Sequence, residues 1–332
     1  MHPEDAHDLP AGIVGHGADA STIGAVDGIR APDYAALPVP PLVSVVLPTY
    51  NRARTLARSI DSVLDQTFTD FELIVVDDRS TDPTERVLAH YAGRPAVRIV
   101  SQRRPGCSVA RNIGISIARG RYVAFQDSDD EWMPDKLAKA VAALEGTGAD
   151  TGVFYSDMIR VQKDGSSADF RAPEVEPGVL IDERTLDYQV YGIGIQSTLI
   201  KRECFDAVGG FDEALPRFID LELFIRLSDT VRFVHCKEML VKYHAVDGIS
   251  TNKQALVTAR RHLLRKYRRR LGQHGHHLAK QCLHLAGALE DVGATYRCLL
   301  WLLKARLAAR RHAVIRQEAS EEMRRVWAAR RR

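Results

Sequence analysis

The chain has 332 residues, 45% of them apolar and 27% charged, which is ample for a packed core in one large domain or two ordinary ones. Its five cysteines (Cys107, Cys204, Cys236, Cys282, Cys298) are odd in number and scattered, which excludes a disulfide framework and a close-paired zinc site and points to a reducing cytosol. The net charge of +3 hides an asymmetry: residues 251–332 carry 20 basic against 5 acidic side chains, so the rest of the chain is acidic.

The leader "MHPEDAHDLPAGIVGHGADAST" has acidic residues where a signal peptide wants positive charge, and it lacks a sustained apolar stretch. Residues 1–41 are therefore expected to be an untargeted, poorly ordered leader ending at Pro38, Pro40 and Pro41. "LVSVVLP" reads as a buried strand, and "RTLARSIDSVLDQT" as a helix with Leu56, Ile60, Val63 and Leu64 on one side. "FELIVVDD", "AVRIVS" and "RYVAFQD" are further strands, separated by helices over "DPTERVLAHYA" and "SVARNIGISIARG". This alternation predicts an α/β fold with a mostly parallel, Rossmann-like central sheet flanked by helices, which binds ligands beyond the carboxyl ends of its strands.

Beyond residue 150, "TGVFYSDMI" reads as a strand, "QKDGSS" as a hairpin turn, and "IQSTLIKRECFDAVGGFDE" as strand, short helix and turn. "FIDLELFIRLSD" is an amphipathic helix burying Leu221, Phe224 and Ile225; "VRFVHC" and "EMLVKYH" supply two more strands. From Asn252 onward the chain is helical. No apolar run approaches the roughly 20 residues that cross a bilayer.

Three strand ends are chemically loaded: "PTYNR", "DDRSTD" and "DSDDEW". Crowded carboxylates are tolerable around a divalent cation, and hard oxygen ligands without nearby His or Cys favour Mg²⁺ or Mn²⁺ with phosphates completing the shell. The same acidic residues would also serve as N-caps for a helix over "MPDKLAKAVAAL".

"VSVVLPTYNR", "FELIVVDDRSTD", "ARNIGISIARGRYVAFQDSDDEWMPDKL" and "GGFDEALPRFIDLELFIRL", in this order, resemble family 2 of the inverting, nucleotide-sugar-dependent glycosyltransferases over roughly residues 42–245. The resemblance implies the A-type glycosyltransferase fold, a catalytic domain over residues 42–250, and transfer of a hexose-like sugar from a nucleotide-diphosphate donor, a UDP-sugar, to a hydroxyl. It places Tyr50 against the base, with Pro48 and Thr49 shaping that loop and Arg52 nearby, and Asp78 as acceptor of a base N–H. Asp77 would hold the loop. Asp127 and Ser128 fall at the ribose or a metal-bound water, Asp129 (with Asp127) at the metal, and Arg111 in the same pocket. Asp220 takes the place of the base, with Trp132 and Glu222 on the acceptor side. Stacking, imide recognition and proton abstraction suit these residue types. A core tyrosine at position 50, turn or N-cap roles at Asp77 and Asp78, and a plain helix cap at Asp220 are the structural alternatives.

Two positions depart from the family pattern. Ile219 stands where an acidic residue usually precedes the base, and Val246 where many relatives carry a His; His244 lies nearby. They keep open a non-catalytic sugar-nucleotide binding or scaffold protein with the same fold. A nucleotidyltransferase or dinucleotide oxidoreductase would need glycines after the first strand, and "PTYNRART" has none.

Residues 251–332 form a separate basic helical region outside the resemblance, whose Arg-rich segments "ARRHLLRKYRRRL" and "TYRCLLWLLKARLAARR" fit either a membrane surface or packing on the catalytic domain or a second subunit. Charge without a motif disfavours nucleic acid. "HGHHLAKQCLH" offers His274, His276, His277, Cys282 and His284 as metal ligands or as solvated histidines of a turn. The setting implied is surface polysaccharide or glycoconjugate assembly on a lipid-linked acceptor, by a cytoplasmic protein peripheral to the membrane's inner face, with a homodimer open.

Overall fold

The computed structural model describes residues 39–245 and 252–329. The leader, all but its last three residues, and Val246 lie outside the described residues.

β1 (Val43–Thr49) is buried along all seven residues, as its β-branched run demands. α1 (Leu56–Leu64) covers it with Leu56, Ile60 and Val63, spaced one helical turn apart. β2 (Phe71–Asp77), α2 (Thr84–Ala89), β3 (Val97–Ser101), α3 (Cys107–Ile117) and β4 (Tyr122–Phe125) follow. These four strands are parallel in the order β3-β2-β1-β4. The order reverses direction at β1, so a crevice opens beyond the ends of β1 and β4. Alternate residues feed two cores: Val46, Ile74 and Val123 face one layer, Val45, Leu73 and Ala124 the other. α3 packs so closely on β1 that a Cβ on Gly114 would lie 2.2 Å from Val46 Cγ1.

The sheet continues through β5 (Glu131–Trp132), α4 (Lys136–Glu145), β6 (Thr151–Val161), β7 (Ser167–Phe170), β8 (Leu199–Lys201), α5 (Glu203–Val208), α6 (Ile219–Ser228) and β9 (Arg232–His244). Here the expectation of a mostly parallel sheet gives way to a mixed one. β8 runs antiparallel to β4 and β6, β5 antiparallel to β9, and β7 folds back on β6; only β6 and β9 pair in parallel. Hairpins and short loops need no crossover helix, so the regular alternation of the first half is lost. The segments "VRFVHC" and "EMLVKYH" are one strand: Cys236 pairs with Ser156 and Met239 with Asp157, leaving Lys237 and Glu238 as a bulge inside β9.

α6 is buried on nearly every side. Its Phe224 packs edge-on against Phe233 of β9, and α7 (Lys253–Lys266) and α8 (Arg268–Gln273) cover its outer side through Glu222. α9 (Gly275–Asp291), α10 (Thr295–Ala308) and α11 (Ala313–Ala329) build a further core around Cys282, Leu285, Leu302 and Ile315. The segment after β7 ties onto α9: Gln281 donates to Leu186 O at 3.3 Å, and His276 and His277 meet Glu183 at 3.2 and 2.7 Å. Among the described residues no helix is long and apolar enough to cross a membrane.

Candidate active site

The loaded strand ends reach the same level because the ladder sets their register. Thr49 pairs with Asp77 and its carbonyl accepts from Asp78 N at 2.8 Å; Gln126 N donates to Val46 O on the other side of β1. The loops after β1 and β2 are then laced together. Asn51, held at φ +52°, accepts from Thr81 N at 2.7 Å through Oδ1 and donates its own N–H to Ser80 Oγ at 2.9 Å. Arg79 in the facing loop is also left-handed, at φ +60°. Such strain costs about 1–3 kcal/mol per residue and persists only where surroundings enforce it.

Tyr50 projects from this pair of loops, 54% exposed, while Pro48 and Thr49 are buried beneath it. Asp77 accepts from the N–H and hydroxyl of Ser80, so it does hold its loop. Asp78 Oδ2 accepts from Gly106 N at 2.9 Å; Asp78 Oδ1 is buried with no hydrogen-bond partner among the described residues. The same holds for Thr49 Oγ1 and Gln102 Oε1 at neighbouring strand ends. Buried acceptors left open cost stability, and they mark where a donor-bearing ligand would gain most.

The acidic loop is fixed by its backbone, not by a helix. Ser128 O accepts from Thr55 Oγ1 at 2.8 Å, Asp129 O from Arg58, and Asp130 O from Ser59 Oγ at 2.7 Å. The chain then enters β5, and α4 begins only at Lys136. The crowded charges are relieved largely by cations from other elements: Asp127 by Arg111 at 2.6 Å, Asp129 by Arg52 at 3.2 Å, and Glu131 by Arg58 at 3.4 Å and Lys242 at 3.6 Å; His244 Nε2 also lies 2.7 Å from Glu131. Among the described residues Asp130 has no such cation. Its Oδ1 accepts from His244 N at 2.8 Å, and its buried Oδ2 is unpartnered among the described residues. Burial and then the charges of Asp127 and Asp129 push the Asp130 carboxyl well above the usual range; burial and Asp127 raise Asp129 against the pull of Arg52.

This loop fits one divalent cation held by one or two carboxylates. The Arg52–Asp129 pair is partly solvated and cheap to open, and a cation there would relieve two carboxyls that are costly to ionise. The three aspartates do not converge into a protein-only cage. Among the described residues the tight grouping of three ligating side chains is Glu183 with His276 and His277. Of the other residues in "HGHHLAKQCLH", Cys282 is buried in the helical core and His284 lies 4.0 Å from Asp187.

Asp220 opens α6 from the opposite wall. The residue before the helix, Phe218, is left-handed at φ +61°, wedged among Tyr191, Arg217 and Arg260. Asp220 accepts from Leu221 N at 2.9 Å. Burial pushes its carboxyl above the ordinary value and Asp127 adds to this, while Arg111 and the Leu221 N–H pull it back. Arg111 is buried and ion-paired with Asp127, and its charge also acts on Asp220. Cys107 at the start of α3 marks the centre: burial raises its thiol, and Arg111, Asp127, Asp78 and Asp220 all act on it.

Two expected residues lie elsewhere. Trp132 is 4% exposed, with Nε1 donating to Gln196 O at 2.9 Å and Lys136 Nζ 3.9 Å from its ring centroid. Side chains alternate along β5, so Glu131 faces the loop and Trp132 the core. Glu222 is fully buried, accepting from Arg226, Lys266 and Tyr267. Two helical residues after Asp220 means about 200° around the axis, the far side of α6. Neither is placed to meet an acceptor. Sequence reasoning gave no role to Asn51, Arg58, Cys107 and Phe218; "TYNR" beside "DDRSTD" was the available signal for Asn51, and the left-handed backbone at Phe218 had none.

The family described as glycosyl transferase family 2 matches residues 44–206. The amylovoran biosynthesis glycosyltransferase AmsB of Erwinia amylovora is 32% identical over 213 residues, 61% of this chain and 69% of that protein. Chondroitin synthase of Escherichia coli is 28% identical over 62% of this chain, but the chain spans only 29% of that relative's length. Among solved structures, residues 1–349 of TarS from S. aureus in complex with UDP-GlcNAc superpose with a TM-score of 0.57 at 19% identity, covering 87% of this chain and 91% of that one. A mannosyltransferase from Pyrobaculum calidifontis in complex with GDP-Man and Mn²⁺ gives 0.51 at 20% identity over 88% and 86%. These structural likenesses carry the fold, an A-type glycosyltransferase sheet with helices on both faces and further helices at the C-terminal side. With the family match and the likeness to AmsB, the chain belongs to glycosyl transferase family 2.

Proposed function

We propose that this protein transfers a sugar from a UDP-sugar to a hydroxyl acceptor with inversion, in the assembly of a surface polysaccharide or glycoconjugate at the inner face of a membrane. The names of its relatives, amylovoran and chondroitin enzymes among them, support the polymer setting. Tyr50 would stack on the base and the open Asp78 Oδ1 would accept its imide N–H. Asp127 is the proposed ribose contact, with Ser128 buried beside it, and Arg52 would turn from Asp129 to the donor phosphates. Mg²⁺ or Mn²⁺ on Asp129, with Asp127, would offset the charge of the departing diphosphate.

Asp220 is the proposed base. It would take the acceptor hydroxyl proton as that oxygen bonds to the anomeric carbon and the carbon–oxygen bond to the diphosphate breaks. What supports the reading is the Arg111–Asp127 ion pair at 2.6 Å, together with the buried Asp220 carboxyl, on which the charges of both residues act. Burial raises the Asp220 carboxyl and makes it a better proton acceptor, while Arg111 opposes that rise. A thermal-shift series with UDP and GDP, with and without Mn²⁺, tests it: UDP with Mn²⁺ should raise the melting temperature most, and no metal-dependent shift would count against the enzyme. Binding without transfer or donor hydrolysis would instead identify the scaffold alternative.

A further inference from the structure

α10 buries one face and leaves an apolar stripe on the other. Cys298, Leu302, Ala305 and the following Ala309 are almost wholly buried within the C-terminal helical core. On the opposite side Tyr296, Leu300, Leu303 and Leu307 are 64, 59, 41 and 52% exposed. Their spacing of four, three and four residues confines them to an arc of about 60°. The stripe is edged by cations, with Arg297 and Lys304 along one border and Arg306 along the other, all exposed. Beyond it come Arg310 and Arg311, and no acidic residue occurs between Asp291 and Glu318. An apolar ridge bordered on both sides by long basic side chains suits the boundary between lipid headgroups and acyl chains, with the cations reaching to phosphate. A second copy fits worse, because pairing this face with itself would set Arg297, Lys304 and Arg306 against their own kind.

We propose that this face of α10 docks the protein on an anionic membrane surface. The buried face holds the helix on the protein, so docking needs no unfolding. The inference is independent of the transfer chemistry and can be tested on Asp220→Asn protein. The experiment is co-sedimentation of the full chain with phosphatidylcholine vesicles, with and without phosphatidylglycerol. Binding should require the anionic lipid and weaken between about 0.05 and 0.5 M salt. Lys304→Gln and Arg306→Gln should each weaken it about fivefold. Leu300→Gln with Leu303→Gln should weaken it at least tenfold without lowering the melting temperature, since both side chains are already exposed. Arg268→Gln with Arg269→Gln, exposed on α8, should leave it unchanged. Equal losses from that pair would mean diffuse charge attraction and overturn the assignment. So would absence of vesicle binding, or concentration-dependent dimerisation abolished by the leucine changes.

Discussion

Asp220→Asn isolates the proposed base, because it removes one negative charge while keeping the side-chain shape. Asparagine retains an oxygen for the Leu221 N–H that Asp220 accepts at 2.9 Å. Burial disfavours ionised Asp220, and that cost disappears in the amide; the attraction to Arg111 disappears with it. These terms oppose, so the melting temperature should move by less than about 2 °C. Loss of a general base costs about 10²–10⁴ in kcat, or about 3–5 kcal/mol of barrier. The assay is donor turnover across pH, alongside stabilisation by UDP and Mn²⁺. The base must be ionised, so wild-type activity should fall as the pH drops through the raised carboxyl value. That acid limb should sit above the ordinary aspartate value of about 4 and be missing from the variant's residual rate. Unchanged turnover, or a variant that melts many degrees lower and no longer binds UDP, would refute the assignment and leave Asp220 a helix cap.

Arg111→Met should shift the acid limb to higher pH, because Arg111 is what pulls the Asp220 carboxyl down; it should also weaken UDP binding, measured by titration calorimetry. Glu222→Gln should leave turnover per folded molecule unchanged but cost about 1–3 kcal/mol in denaturant unfolding, since Arg226 and Lys266, both partly exposed, lose a buried charged acceptor. Burial raises the Glu222 carboxyl, but Arg226 and Lys266 outweigh it and hold the value below normal. The stability that Glu222 contributes is therefore present above the unfolded value of about 4.3 and lost as pH falls through the lower folded one, a loss the variant should not show. Gly114→Ala should destabilise by about 1–3 kcal/mol, because its Cβ would fall inside the Val46 side chain.

The strand ends were legible because a buried strand of four to seven apolar residues leaves little freedom in where it stops. "LVSVVLP" and "FELIVVDD" therefore put Thr49 and Asp77 opposite each other almost unaided. The acidic stretch "DSDDEW" was less legible. A local reading sees carboxylates and infers one cation, whereas the folded chain supplies Arg52 from the loop before α1, Arg58 from α1 and Arg111 from α3. Trp132 and Glu222 went astray for a shared reason. Proximity in sequence was taken for a shared face, and the strand period of two and the helix period of 3.6 turn neighbours away from each other.

By itself the sequence determined the parallel half of the sheet, the loops at its carboxyl edge and the family, since these depend on local apolar runs and on motifs a few residues long. Tertiary structure alone decided the mixed half of the sheet, the bulge in β9 and the pairing of Arg111 with Asp127. Apart from the β6–β7 hairpin, those outcomes join residues far apart in the chain, and which of many cations or strands meets a given partner is settled by packing rather than by anything written near either one.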